Sequence, residues 1–134
     1  MVAERDLNNA LGPMVRGVDE ILRRATPLDS AVRASAGSDP DSARVRALHE
    51  RFRADGYREM VEVLRGKWPL RNGLSLERAT HLLLLYLGMD VYRVLVDDFG
   101  WTHDDWITWT VGTLEEQVFT PSASAHGRRP RIER

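Results

Sequence analysis

Six consecutive apolar side chains at residues 82–87 constrain the fold of this chain more than any other feature. They lie in a long stretch without proline that begins after Ser75, which predicts one helix with a kink at Gly88. Gly100 is expected to end this helix in a left-handed conformation. A helix that is apolar all round must be covered on all sides. Because one small chain has few helices with which to cover it, we expect a second copy of the chain on the remaining face.

The composition is typical of one globular domain, with 134 residues of which 29% are charged. The chain has no cysteine, so disulfides and thiolate metal sites are excluded, and a cytoplasmic location is predicted. The apolar run is bounded by Arg78 and Asp90 and is shorter than the roughly 18 to 20 residues of a membrane span, so no membrane contact is expected. A net charge of −1 argues against direct binding to nucleic acid.

The first part of the chain predicts two amphipathic helices. Pro13 suits the first turn of a helix that reaches Ala25, and Thr26 with Pro27 suits the start of a second helix that runs toward Gly37. The apolar residues recur at helical spacing, and no alternating strand pattern is present anywhere in the sequence. The expected fold is therefore all-α, with about five helices.

The glycine, proline and capping residues in the rest of the sequence predict two more helices, one before the apolar run and one after it. A long helix is expected to end near Gly66, and the last helix is expected to run from its cap at Thr102 to near Phe119. Together the helices define one predicted domain over residues 1–119. Residues 120–134 are small, polar and basic, which predicts a disordered tail.

The last two helices carry more apolar and small side chains than one stripe can hold. If two such helices from each of two chains packed at about 20°, they would form a four-helix intersubunit bundle, which predicts a homodimer. The alternative is that the excess leucines lie under a loop of the same chain. The predicted interface residues are Leu84, Leu85, Leu87, Trp106, Thr110, Thr113 and Gln117.

No sequence motif indicates catalysis or a cofactor. A Gly-rich phosphate loop, a Gly-x-Ser-x-Gly elbow and a His-Glu-x-x-His zinc motif are all missing, so we predict neither an enzyme nor a bound cofactor. His103 with Asp104 and Asp105 suggests a metal site at first sight. These residues stand at a helix start, however, where acids complement the positive end of the helix dipole, and no metal site is predicted.

Met and aromatic side chains on the predicted helices suit an adaptable apolar cavity. The same side chains would also make an ordinary core, and both interpretations stay open. Gly56 favours a cavity, because it lies on a stripe of the long helix that is expected to face inward and leaves space there. The candidate ligand-binding residues are Met14, Val18, Leu28, Phe52, Gly56, Tyr57, Met60, Tyr86 and Met89.

Three segments follow one another in a recognisable order: PLDSAVRASA at residues 27–36, DPDSARV at residues 39–45, and DVYRVLVDDFGWTHDDWITWTVGTL at residues 90–114. Together they resemble the C-terminal domain of TetR-type transcriptional regulators, over roughly residues 13–119. The resemblance implies an all-helical domain that dimerises through its last two long helices and encloses a pocket for a small apolar effector. It implies the function of a ligand-sensing and dimerisation domain of a bacterial regulator.

The TetR-type family places a helix-turn-helix DNA-binding domain before the matched part. Only about a dozen residues precede Pro13, too few for three helices, so we expect this chain to act without contacting DNA itself. The alternative function is an interaction module that dimerises, or pairs with an intact regulator, and binds no ligand. Whether the chain is part of a longer protein or naturally lacks the DNA-binding domain stays open.

Overall fold

The computed structural model describes residues 2–36 and 40–120, and within these ranges the chain is helical and has no strands, which confirms the all-α prediction. The helices are α1 (Val2–Ala36), α2 (Pro40–Arg65), α3 (Leu76–Tyr86), α4 (Met89–Tyr92), which continues into a π-helical segment (Arg93–Asp98), and α5 (His103–Gln117).

The prediction of two helices divided at Thr26 was wrong, because α1 runs without interruption through Pro13 and Pro27. Each internal proline costs about 3 kcal/mol of helix stability. Burial of each large apolar side chain contributes about 1.5 to 3 kcal/mol, so the four on this stripe outweigh both prolines. Thr26 does not cap a helix, since its hydroxyl donates to the Leu22 carbonyl at 2.6 Å. The buried residues of this stripe are Leu7, Leu11, Val15, Asp19, Leu22 and Thr26.

Helix α2 ends one residue before Gly66, as expected, but the side that it turns to the core was predicted wrongly. The stripe through Gly56, which was expected to face inward, also includes Val45, Phe52 and Val63, and all three of these side chains are exposed. Among the described side chains of α2 only Val61 is buried. At 100° per residue, Val61 lies on nearly the opposite side of the helix from that stripe.

The long helix predicted after Ser75 is broken at Gly88. Ser75 caps α3 as expected, because its hydroxyl accepts from the backbone N of Arg78 at 3.1 Å. At Gly88 the backbone is extended, with φ −92° and ψ 161°. A Cβ at this position would lie 2.6 Å from the Leu84 carbonyl oxygen, so only glycine fits without a shift. Gly100 follows the π-helical segment with φ 77°, the left-handed conformation that was predicted for it.

The last helix begins as predicted. The Thr102 hydroxyl accepts from the backbone N of Asp105 at 3.0 Å, and the Asp105 carboxylate accepts from the backbone N of Thr102 at 3.4 Å. This reciprocal pair is a capping box. Helix α5 ends at Gln117, slightly earlier than expected. Its inner side packs against α1 and buries Trp106, Ile107, Thr110, Val111 and Leu114.

Helix α1 packs against both α2 and α5, and α2 packs against α3. The chain after α5 returns to the α2–α3 connection, where Leu70 and Phe119 form an isolated antiparallel bridge. Thr120, the first residue of the predicted tail, donates from its backbone N to the Pro69 carbonyl at 2.7 Å. The rest of the predicted tail, residues 121–134, lies outside the described residues.

One stretch of the described residues, Leu76–Asp98, is long and apolar enough to cross a membrane by length and composition alone, with a mean hydropathy of 1.3. A core helix of a soluble protein meets the same criterion. Here the stretch is broken at Gly88, and 33% of its most apolar window is buried inside the chain. The absence of a membrane span stays a prediction from the sequence.

Candidate functional site

One side of the α1–α2 hairpin carries large apolar side chains that the other described residues leave uncovered. Phe52, near the middle of α2, is 67% exposed. On α1, Ile21 and Leu28 follow Met14 at steps of seven residues, which places all three on one side of that helix. We call this surface the hairpin face. Its exposed members are Ile21, Leu28, Val45, Leu48, Phe52 and Val63.

A groove between the two helices lies at one end of the hairpin face. Gly56 widens this groove, because a Cβ at that position would have no neighbouring atom within 4 Å. Since Met14 of α1 and Val63 of α2 both line it, the exposed rows of the two helices lie on the same side of the hairpin. The groove is open to solvent, measures about 450 Å³, and is lined by Ala10, Met14, Gly56, Glu59, Met60, Val63 and Leu64.

Three of the nine candidate ligand-binding residues, Met14, Gly56 and Met60, share this open groove. Val18 and Tyr57 are instead partly buried against the core. The Tyr57 ring lies beneath the Arg53 guanidinium, 5.5 Å from the ring centre. Three of the residues proposed from the sequence, which lie on two different helices, therefore line the same groove.

The other four candidates lie apart from the groove. Leu28 and Phe52 are exposed on the hairpin face. Tyr86 packs edge-on against Trp109, with ring centroids 6.0 Å apart, and Met89 lines a separate groove beside the break between α3 and α4. The prediction that all nine residues surround one cavity was wrong, because it assumed that the exposed stripe of α2 faced inward.

Three of the seven residues predicted at an interface on the last two helices are buried inside the single chain. Leu87, Trp106 and Thr110 are 0% exposed, so the prediction that they contact a second copy was wrong. For Trp106 and Thr110 the reason is that α5 packs against α1 within the same chain, where residues 8–16 of α1 share a groove with Ile107 and Val111 of α5. The predicted interface residues that retain exposed surface are Leu84, Leu85, Thr113 and Gln117.

The groove at the break between α3 and α4 has a structural explanation. It measures about 210 Å³ and is flanked by Arg53, which donates from Nη2 to the Leu84 carbonyl at 3.2 Å. The backbone N of Gly88 turns instead to the Leu85 carbonyl at 3.2 Å, which leaves the Leu84 carbonyl without its helical partner. Arg53 is held in turn by Glu50 at 2.9 Å. The arginine thus satisfies a carbonyl that the helix break exposes.

A polar cluster is buried where α1, α4 and α5 meet. Asp19 is 2% exposed, and its Oδ1 accepts from the Tyr92 hydroxyl at 2.9 Å. Its Oδ2 accepts from Nη2 of Arg23 at 2.6 Å. Nδ1 of His103 lies 2.7 Å from the Tyr92 hydroxyl and 3.2 Å from Oδ1 of Asp19. The Tyr92 ring packs edge-on against Trp106, with centroids 4.9 Å apart.

The cluster raises the pKa values of two of its members. The Tyr92 hydroxyl donates to Asp19, and Nδ1 of His103 lies within hydrogen-bonding distance of both oxygens. Burial, and next the hydrogen bond to Asp19, raise the pKa of Tyr92 far above its usual 10.0. The hydrogen bond to Asp19 also raises the pKa of Arg23. Arg23, Tyr92 and His103 therefore surround one buried carboxylate and join α1, α4 and α5.

This cluster was missed in the sequence, although one signal was present. Asp19 continues the four-residue spacing of Leu11 and Val15 along the buried stripe of α1. An acid on an apolar stripe requires a partner, because an unpaired buried charge is costly. Its partner Tyr92 is 73 residues away, so the spacing of α1 alone does not identify it.

Within residues 2–36 and 40–120, no group of three or more His, Asp or Glu side chains is arranged to hold a metal ion. His103 belongs to the polar cluster, and Asp105 caps α5. These roles account for two of the residues that suggested a metal site in the sequence.

The chain matches no protein-family model, no curated protein and no solved structure. The likeness to TetR-type C-terminal domains therefore stays a prediction from sequence motifs. The hairpin face, the open groove and the polar cluster are the features from which a function can be inferred.

Proposed function

We propose that this chain is an all-helical interaction module that forms a homodimer through its hairpin face. The observation that carries the proposal is the row of exposed apolar side chains on α2 from Val45 to Val63. These residues are about 18 positions apart, which is about 27 Å along a helix. Scattered exposed apolar residues are common on soluble proteins, whereas a contiguous row is typical of a surface that binds another protein.

The first part of α2 also favours a partner on the hairpin face, because none of the described side chains at residues 40–60 is buried. A short helix in water gains little stability from its backbone alone, and most helices depend on packing of an apolar face. A partner that covered the hairpin face would supply this packing, at about 25 cal/mol for each Å² of apolar surface buried.

The proposal is tested by the mass of the chain in solution. Sedimentation equilibrium in the micromolar range is expected to give about twice the chain mass of 15.3 kDa. Dilution should lower the mass toward that of one chain if the dimer is reversible. A chain that stays monomeric throughout the micromolar range contradicts the proposal.

A second candidate function is effector sensing, the role implied by the TetR-type resemblance. The space beside Gly56 favours it, because the groove brings Met14 and Met60 together around an unfilled position. An apolar molecule that binds only the folded state should raise the melting temperature. At a hundredfold excess over its dissociation constant, the gain is about 2.7 kcal/mol.

The matched control for effector sensing is Gly56→Leu. At a concentration where the chain is monomeric, a leucine side chain enters open space, so stability should hold or rise while any thermal response to an apolar ligand disappears. The absence of any response from the wild-type chain to a broad panel of apolar molecules would leave the interaction module as the function.

Neither candidate includes recognition of DNA by this chain. Its net charge of −1 supplies no general attraction to phosphate. Fluorescence anisotropy with random duplex DNA at physiological salt is expected to show no binding, and tight binding that resists salt would contradict this expectation.

A further inference from the structure

We infer that the hairpin face is occupied by α2 of a second copy, packed antiparallel, with Phe52 of each copy seated on Gly56 of the other. The inference rests on the proposed dimerisation and specifies its geometry. It places the interface on the first two helices, whereas the sequence predicted it on the last two.

The first argument is the shape of the α2 surface. Phe52 is 67% exposed, and Gly56 follows it one helical turn later on the same side. A Cβ at Gly56 would meet no atom within 4 Å, so this position is a notch in the surface. A twofold axis between the two positions brings each Phe52 ring opposite the notch of the other copy. A parallel pair in register would set ring against ring and notch against notch, which packs poorly.

The second argument is the distribution of charge along α2. Residues 40–53 carry the arginines Arg44, Arg46, Arg51 and Arg53 and the acids Asp41 and Glu50. Residues 54–65 carry the acids Asp55, Glu59 and Glu62 and the arginines Arg58 and Arg65. An antiparallel pair lays the basic half of one helix over the acidic half of the other. A parallel pair opposes like halves, which is unfavourable.

Two specific charge pairs follow from this arrangement. When Phe52 faces Gly56 of the second copy, Arg51 lies two positions, about 3 Å along the helix axis, from the point opposite Asp55 of that copy. Arg44 lies at the same offset from Glu62, and long arginine side chains span this distance. All four residues lie on one flank of the apolar row, and the flanks of an antiparallel pair meet each other. Arg51 and Asp55 are exposed and make no ion pair with another described residue, so both are available for this contact.

The first experiment compares a charge placed on each of two faces of the full chain. Phe52→Glu should raise the dimer dissociation constant at least about thirtyfold, because a central aromatic anchor is replaced by an unpaired carboxylate. Leu85→Glu is the matched control, since Leu85 is 52% exposed on the face predicted from the sequence. It should leave the dissociation constant unchanged. At a concentration where the wild-type chain is also monomeric, circular dichroism should show both variants as helical as the wild type, since both side chains are exposed in the single chain.

The second experiment tests the antiparallel register by exchanging charges. Arg51→Asp and Asp55→Arg should each weaken self-association by about three- to tenfold, because each homodimer then contains two repulsive pairs. Mixing the two variants should restore wild-type affinity, because both contacts in the mixed dimer join Asp to Arg. Mixing does not change the neighbours within either helix, so this rescue reports a contact between copies.

The outcomes distinguish failure of the antiparallel α2 interface from failure of dimerisation. A monomeric wild-type chain overturns both the proposed homodimer and its proposed interface. A dimer that survives Phe52→Glu, or one that Leu85→Glu dissociates, overturns the interface while dimerisation stands. Dissociation by Phe52→Glu without rescue on mixing overturns the antiparallel register. The inference is supported in full if Phe52→Glu loses the dimer, Leu85→Glu retains it, and mixing the two charge variants restores wild-type affinity.

Discussion

Helices α5 and α2 both carry apolar side chains at helical spacing, and the structure treats them in opposite ways. Helix α5 buries two adjacent stripes, which include Trp106 and Leu114, inside its own chain. Helix α2 is longer, and yet Val61 is the only buried one among its described side chains. The difference shows that an apolar stripe predicts a covered surface and leaves open whether the cover comes from the same chain or from another.

The largest expected effect comes from comparing the buried side of α5 with its more exposed side. Trp106→Ala should lower the free energy of unfolding by about 3 to 5 kcal/mol, because Trp106 is 0% exposed and packs edge-on against Tyr92. Trp109→Ala is the matched control on the outer side of the helix, where the indole is 37% exposed, and should cost about 1 kcal/mol. Urea denaturation followed by circular dichroism measures both. Equal losses would mean that the outer side of α5 is also covered, which would end the contrast.

The next prediction compares two aspartates, Asp19 on α1 and Asp55 on α2. Asp19→Ala should lower the free energy of unfolding by about 3 kcal/mol, because Arg23, Tyr92 and His103 lose their shared acceptor. Asp55→Ala on exposed α2 should change it by less than about 0.5 kcal/mol. Both values come from denaturant titrations at one protein concentration. An Asp19→Ala variant as stable as wild type would show that the cluster contributes nothing net.

A smaller effect is expected at alkaline pH. The pKa of Tyr92 is raised in the folded chain, so above about pH 10 the unfolded state loses a proton that the folded state retains. The free energy of unfolding should then fall by about 1.4 kcal/mol per pH unit from this group. Tyr92→Phe should flatten the profile by that amount.

Tyr57 on α2 provides the comparison for this pH profile. Burial raises its pKa too, but the nearby Arg53 cation opposes the shift. Tyr57→Phe is therefore expected to flatten the alkaline profile less than Tyr92→Phe. Denaturation at several pH values measures how the free energy of unfolding changes with pH in each variant. A larger flattening by Tyr57→Phe than by Tyr92→Phe would contradict this prediction.

The smallest effects concern two glycines and have opposite signs. Gly56→Ala should raise the free energy of unfolding by about 0.5 to 1 kcal/mol, because alanine favours a helix and meets no atom within 4 Å. Gly88→Ala should lower it by about 1 kcal/mol, since its Cβ would lie 2.6 Å from the Leu84 carbonyl. Thermal unfolding at a concentration where both variants are monomeric measures them. A loss of stability in Gly56→Ala would contradict the open space at Gly56, and a gain in Gly88→Ala would contradict the close approach to the Leu84 carbonyl.

Features that depend on a few neighbouring residues were predictable from the sequence. The caps at Ser75 and Thr102 and the left-handed Gly100 were expected, and each is found. Each of these involves hydrogen bonds or backbone angles within about one turn of the residue itself. Local chemistry is sufficient to place them, whatever the rest of the chain does.

Features that depend on distant residues were not predictable in the same way. Pro13 and Pro27 ordinarily end a helix, but α1 continues because its buried stripe packs against other helices. The cluster of Asp19 with Tyr92 and His103 joins three elements that are far apart in sequence. Only the folded chain brings such groups within hydrogen-bonding distance.

Local geometry and periodicity were sufficient to predict the all-α class, the capped starts of α3 and α5 and the existence of apolar stripes. The tertiary structure decided which stripe is covered. Trp106 and Thr110 of α5 are buried within the chain, whereas Phe52 of α2 is left exposed. The physical reason is that the hydrophobic effect favours burial without specifying a partner, so the assignment of each stripe depends on which helices lie beside it.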